Sequence, residues 1–243
     1  MSEINDVELI KPNISKKITE RREAKLHSSG KYKDYLGEGA FGFVTRVSVP
    51  IKEGVSLGLA YKEIEFEGRA ADALKAWLRL KSADVPVPRT FRLVEKDGRY
   101  TGILMTDLTH GWRDVLITSN LTKAMVIDQV NAAHPSTVQR LAELDIEDPE
   151  FVERLERQIT AIADKTAKNK IGLEHADVVS AVYKHTGELD LIISDMDNVR
   201  VDMPESYDSL FANNLDRASR VKLYINDAHR LARKLQGLKT VNK

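Results

Sequence analysis

The pattern of apolar and polar positions along the chain changes texture twice. Residues 1–33 are polar and mixed in charge, with a short helix expected around Ser15–Leu26 that Asn13 or Ser15 would cap. They read as an N-terminal arm. From Tyr35 to Ile64, β-branched and aromatic residues recur between turn signals: YLGEGAFGFVTRVSVP, an IKEG turn, then VSLGLAYKEIEF. This texture predicts three antiparallel strands. Ala70, Leu74, Trp77 and Leu78 then fall at helical spacing, which predicts an amphipathic helix over 68–81 packed back on those strands. The DVPVP segment ends the helix, because each proline disfavours helix at its own position and at the one before. RTFRLVEKDGRYTGILMTDL gives two more strands about an Asp97-Gly98 turn.

Beyond Asp107 the periodicity is mainly helical, in LTKAMVIDQVNAA, PSTVQRLAEL and DPEFVERLERQITAIADKTAKN. In the last of these, Phe151, Leu155, Ile159 and Ile162 form one stripe, Asp148 is a fair N-cap and Pro149 takes the first helical position. A short β-like stretch follows, clearest in GELDLIISDMDNVRV, and SRVKLYINDAHRLARKLQG closes as a helix ending near Gly237. The expected organisation is α+β: an arm over 1–33, an N-terminal lobe over 34–107 built from a five-stranded antiparallel sheet and one helix, and a mainly helical lobe over 108–243.

Composition narrows the functional classes. The 37 basic and 37 acidic side chains cancel, so no electrostatic footprint for nucleic acid or an anionic membrane is expected. The chain has no cysteine, which removes disulfides and thiolate metal sites and fits a reducing compartment. No window approaches the roughly 18 apolar residues of a membrane span, and the first residues carry no signal-like apolar run, so a soluble, cytoplasmic protein is expected.

The chemistry begins at Gly37, Gly39 and Gly42, a GxGxxG pattern between apolar residues that favour strand. Glycine weakens a strand by about 0.5–1 kcal/mol relative to alanine, so three of them call for a tight turn or a close approach of main chain to a ligand. Strand on both sides argues against a dinucleotide-binding turn of the Rossmann type, which leads into a helix.

With Phe41 at the tip and Val44 after it, GEGAFGFV resembles the glycine loop of the protein-kinase-like superfamily. That resemblance implies that loop N–H groups contact nucleotide phosphates and that Val44 packs on the adenine ring. Ala60-Tyr61-Lys62 looks like the family's AxK strand, which implies that Ala60 lies against the adenine and that Lys62 holds the α and β phosphates. The family pairs this lysine with a helix glutamate. Glu67 is the candidate on the helical stripe of Leu74 and Leu78, although it follows Lys62 by only five residues; Asp72 has longer spacing but falls with Lys75 and Arg79 on the polar side. Met105 and Asp107, where the first lobe closes, complete the nucleotide-binding set that the resemblance implies.

Further along, Glu174-His175-Ala176-Asp177 is followed after an apolar strand pair by Asp195-Met196-Asp197. This is similar to the catalytic loop and metal-binding motif of the same family, with Asp177 as the base and Asp195 and Asp197 as metal ligands. His175 reads as a residue that orients the loop. Phosphoryl transfer needs a carboxylate to accept the proton of the attacking hydroxyl and another to hold magnesium on the phosphates. Mg²⁺ takes hard oxygen ligands and keeps several waters, so one or two carboxylates suffice. Departures accompany the matches: Val182 stands where the family has a metal-binding asparagine, Met196 and Asp197 replace the phenylalanine and glycine of DFG, and no APE-like motif follows. Asp197 or Asn198 would supply the missing ligand.

The resemblance is therefore to small atypical members, bacterial or phage kinases and the aminoglycoside phosphotransferases, whose VPVP segment is similar to Val85–Pro88, and it spans about Tyr35–Val201. It implies a two-lobed fold using ATP and Mg²⁺ to transfer the γ-phosphate to a hydroxyl of a protein or small molecule. A pseudokinase that binds nucleotide or a partner without transfer is the alternative that Val182 favours. A third reading makes the glycine loop a plain hairpin in a helical interaction module, with Leu231, Leu235 and Leu238 on its docking helix.

Overall fold

The computed structural model of the chain describes residues 35–39, 42–52, 55–63, 67–96, 98–118, 130, 133–175, 178–202 and 211–237. The arm expected over 1–33, with its helix, and most of the helix expected over 121–133 lie outside those residues. The chain forms two compact units. One takes residues up to Ala71 together with Thr90–Asp107, and the other takes Asp72–Arg89 together with Leu108–Lys243.

In the first unit, strands β1 (Tyr35–Gly39), β2 (Gly42–Lys52), β3 (Val55–Glu63), β4 (Phe91–Lys96) and β5 (Arg99–Thr106) pair antiparallel in the order β1-β2-β3-β5-β4. Alternation along the strands sends Val47, Leu59, Tyr61, Val94 and Leu104 into one buried cluster. The β4–β5 hairpin closes through Lys96 opposite Arg99, and Gly98 takes φ +76°, a backbone conformation costly for any residue with a Cβ. Gly102 serves a different need: a Cβ there would lie 2.5 Å from the Tyr61 ring and 2.6 Å from the Lys62 carbonyl oxygen. The space it leaves admits the Tyr61 ring, whose hydroxyl donates to the Thr101 carbonyl at 3.0 Å.

Helix α1 (Glu67–Ser82) starts in the first unit and runs on in the second. Its buried positions are Ala70, Ala73, Ala76, Trp77 and Leu80, a stripe dominated by alanine. Leu78, expected on that stripe, is 54% exposed, because small side chains rather than leucines carry the closest packing. The Trp77 indole N–H donates to the Pro88 carbonyl at 2.8 Å, and the Pro86 carbonyl accepts from the Ile193 amide at 2.9 Å. The first bond closes 72–89 on itself and the second ties it to the second unit, with which it groups although the helix over 68–81 was expected to pack on the strands of the first.

The rest of the second unit is built on helices α2 (Pro135–Glu143), α3 (Pro149–Lys168), α4 (Asn214–Ser219) and α5 (Val221–Leu235). Asp148 caps α3 by accepting from the Phe151 amide at 3.1 Å, and Phe151, Leu155, Ile159 and Ile162 are all buried. The helix expected from Ser219 begins instead at Val221, with α4 before it and Arg220 between them. Its buried side is Val221, Ile225, Ala228, His229 and Ala232, while Leu231 is half-buried and Leu235 is exposed. Leu238 lies outside the described residues.

Two small sheets complete the unit. Strands β6 (Val115–Ile117), β8 (Val179–Tyr183) and β9 (Leu189–Ile193) form one, with β8 central, and β7 (Gly172–Leu173) pairs with β10 (Val199–Arg200) in the other. Strand β6 falls in a stretch whose pattern had suggested helix. All five residues of β8 are buried. The edge strand β9 is bonded by one side chain of α3: the Gln158 amide donates to the Leu189 carbonyl at 3.0 Å and its oxygen accepts from the Leu191 amide at 2.8 Å. No helix among the described residues is long and apolar enough to cross a membrane.

Candidate functional site

In the first unit the three glycines fall on a hairpin. Gly37 pairs with Val44 and Gly39 with Gly42, so only Ala40 and Phe41 separate the paired glycines. Both turn residues, Phe41 among them, lie outside the described residues. Chain direction follows the sequence pattern: strand enters and strand leaves.

Lys62 sits on β3, the middle strand, directly opposite Val44 on one side and Ile103 on the other. Ala60 stands two residues earlier, between Arg46 and Met105. Directly opposed residues of antiparallel strands project to the same face, and so do residues two apart on one strand. Val44, Ala60, Lys62 and Met105 therefore share the face opposite the Tyr61 cluster. Ala60 and Met105 are buried, Val44 and Lys62 half-buried. The same face carries an ion pair that the sequence did not announce: Arg46 Nε donates to Asp107 Oδ2 at 2.7 Å. Asp107, expected among the nucleotide-binding residues, is 2% exposed and has this structural task at the end of β5. Glu67 is the first residue of α1, and its side chain lies outside the described residues. Asp72 is exposed, and Lys75 beside it pairs with Asp202 at 2.8 Å.

In the second unit, the chain leaves α3 through β7, passes His175, runs out and back through the β8–β9 hairpin, and reaches Asp195. The pairing of β7 with β10 places Leu173 opposite Val199. Beyond that ladder the Glu174 amide donates to the Asn198 carbonyl at 2.9 Å, and the Ser194 amide donates to the Val178 carbonyl at 3.1 Å. An ion pair of 2.8 Å from Arg200 Nη2 to Glu174 ties the same two segments, and Arg200 also donates to the Asp197 carbonyl at 3.1 Å. Glu174 and Val178 are thus each bonded to the segment 194–200. Ala176 and Asp177 themselves lie outside the described residues.

Asp195 is half-buried and precedes a single 3₁₀ turn, Met196–Asn198, whose three residues are buried. The Asn198 amide donates to Asp195 Oδ2 at 2.8 Å. That bond turns the amide nitrogen of Asn198 toward Asp195 and fixes the orientation of the carboxylate, whose oxygens are hard donors of the kind magnesium takes. The carboxylate of Asp197 is buried one residue away. Among the described residues no group of three or more His, Asp or Glu side chains is placed to hold a metal ion.

Strand β8 starts at Val179, two residues after Asp177, so a count of five from Asp177 lands inside a strand. There Val182 is buried, opposite Leu116 on β6 and Asp190 on β9. Its apolar character meets the needs of a central strand. Neither a protein-family model nor a curated protein matches the chain.

Proposed function

We propose that the chain is an ATP- and Mg²⁺-dependent phosphotransferase, an atypical small member of the protein-kinase-like superfamily whose two lobes correspond to the two units. The observation that carries this reading is the bonding of Glu174 and Val178 to residues 194–200. The candidate base and the candidate metal ligand, Asp177 and Asp195, are eighteen residues apart in sequence, and the pairing of β7 with β10 and of β8 with β9 on either side supports reading them as one site. The shared face of Val44, Ala60, Lys62 and Met105 beside a glycine hairpin supports it from the first unit.

In this reading the main chain of the Gly37–Gly42 hairpin approaches the phosphates, and the Lys62 ammonium opposes the charge of the α and β phosphates. Val44, Ala60 and Met105 present apolar surface to the base. Asp177 orients the acceptor hydroxyl and takes its proton. Asp195, held by Asn198, offers carboxylate oxygen to the metal, with Asp197 or Asn198 as the further ligand in place of the asparagine expected at position 182. Bound magnesium supplies neutralisation of the charge that develops on the transferred phosphoryl group.

The test is a thermal-shift titration with ATP, with and without Mg²⁺, followed by measurement of ADP release and γ-phosphate transfer. Saturation at about 100 times Kd stabilises the folded state by about 2.7 kcal/mol, a rise of roughly 5–10 °C for a chain of this size. Lys62→Met is expected to abolish most of the rise, and Asp195→Asn to abolish its dependence on Mg²⁺ together with transfer. Transfer by Asp195→Asn or Asp177→Ala at the parental rate would overturn the assignment. A metal-independent rise with no transfer would support a pseudokinase, and no rise at all would leave the glycines as a plain hairpin.

A further inference from the structure

Away from these segments, in the turn that leads into β6, one buried carboxylate holds two imidazoles. Asp114 is 3% exposed. Its Oδ2 lies 2.6 Å from His110 Nδ1, and its Oδ1 accepts from the His185 amide at 2.9 Å and lies 3.1 Å from His185 Nδ1. The two imidazoles differ in what their other nitrogen does. His185 Nε2 is 2.7 Å from Arg113 Nη2. Guanidinium only donates, so His185 Nε2 is an acceptor and its proton sits on Nδ1, facing Asp114. The same carboxylate fixes the His110 proton on Nδ1 and leaves the Nε2 lone pair as the outward atom of a side chain that is 56% exposed.

The backbone invests strain in presenting that atom. His110, Gly111 and Trp112 have φ of 45°, 72° and 69°, three successive residues in the left-handed region, two of them with side chains. Such residues persist only where surroundings over-determine them. Here the surroundings are explicit: the Asp114 amide donates to the Thr109 carbonyl at 3.0 Å, the His134 amide to the Trp112 carbonyl at 2.7 Å, and the Thr137 hydroxyl to the Arg113 carbonyl at 2.6 Å. A chain that needed only a turn between β5 and β6 would have no use for a buried charge under an exposed imidazole.

We infer that His110 is a phosphoryl-accepting nucleophile, with Asp114 as its positioning residue. An imidazole held by a carboxylate at one nitrogen is a stronger nucleophile at the other, because the positive charge that develops on the ring is opposed where the proton sits. The His110 Nε2 lone pair forms a bond to phosphorus as the bond from phosphorus to the donor's leaving atom breaks. The bonding pair leaves with that atom, as ammonia when the donor is phosphoramidate, while the Nδ1 proton stays shared with Asp114. This chemistry needs no nucleotide, so it stands whether or not the phosphotransferase reading holds.

The experiment treats the full chain with phosphoramidate at neutral pH and locates acid-labile phosphate by peptide mass spectrometry under alkaline conditions. His134 and His175, both exposed and without a carboxylate at the ring in the described structure, are internal controls among the six histidines. His110 is expected to be labelled at least about tenfold faster than either, and Asp114→Asn to slow it by roughly 10–100-fold. His110→Gln should remove the fast label while leaving the far-UV spectrum unchanged. Because Asp114→Asn also removes a buried anchor, a second measurement keeps the outcome decisive: carbethoxylation of the unaltered chain, ranked by histidine, should again put His110 first. Labelling of His110 no faster than that of His134 and His175 in either reaction would overturn the inference and leave the cluster as a latch for the turn.

Discussion

Asn214 is the side chain on which the arrangement around β7 most depends. It is 1% exposed, at the start of α4. Its Oδ1 accepts from the Leu173 amide at 3.0 Å, and its Nδ2 donates to the Thr166 hydroxyl at 2.9 Å and to the Ile171 carbonyl at 2.8 Å. One amide thereby joins α3, the approach to β7, and α4. Asn214→Leu keeps comparable volume and removes all three bonds. Thr166 still donates to the carbonyls of Ile162 and Ala163, so the groups left without partners are the Leu173 N–H and the Ile171 carbonyl, both in fully buried residues. Each orphaned buried group costs about 1–3 kcal/mol, so the loss is about 4 kcal/mol at the centre of that range. Against a total stability of about 5–15 kcal/mol this is severe, and it corresponds to a fall in Tm of roughly 8–16 °C. Urea unfolding followed by far-UV circular dichroism gives the energy, and hydrogen exchange at the Leu173 amide gives the location. A loss below about 1 kcal/mol with unchanged m, or an equally protected Leu173 amide, would refute the reasoning.

Gly102→Ala is expected to cost about 1–3 kcal/mol by urea denaturation, because the added carbon meets the Tyr61 ring and the Lys62 carbonyl, and the latter is main chain that cannot swing away. It should also weaken any ATP-dependent thermal shift, since Lys62 is moved with its strand. His229 gives a pH dependence: burial, then the nearby Arg233, lowers its affinity for protons, opposed by the carbonyls of Ala142 and Leu144 and by Asp145. Its proton affinity in the folded chain is therefore below that in the unfolded chain, and the unfolded state takes up the proton first as pH falls. The stability is fully present above about pH 6.5 and lost below it, so the urea midpoint of the parent should fall more steeply between pH 7.5 and 5 than that of His229→Leu. Breaking the Lys165–Asp84 pair with Lys165→Met should leave the urea midpoint close to that of the parent, as Asp84 is almost fully exposed and solvent screens the pair.

What the sequence made legible, and what it hid, follows the range of the interactions. Strands around the glycine motif, the turn at Gly98 and the cap at Asp148 depend on residues a few positions apart, and the pattern carried them. The buried side of α1 does not: leucine looked like the inward residue at position 78, yet Ala73 and Ala76 take the inner positions because close approach of main chain matters more there than apolar area. That Val182 is buried in a central strand, between Leu116 and Asp190, was not visible from counting five residues on from Asp177. The bond from Asn198 to Asp195 was within reach of the sequence, three residues apart. Asp107's partner Arg46, 61 residues earlier, and the contacts of Asn214 with a strand 41 residues earlier carry no local signal at all.

The grouping of residues 72–89 with the second unit sets a limit on how the molecule can be taken apart. Its polypeptide crosses between the units after Ala71, after Arg89 and after Asp107, so the larger unit is discontinuous in the gene. A single cut at Asp107 would strip from it the Trp77 helix and the Pro86 carbonyl that satisfies the Ile193 amide, leaving a fragment with an open apolar surface and a broken sheet margin. Only an insertion-aware design, with 72–89 grafted back through a linker, would yield that half as a separate soluble body.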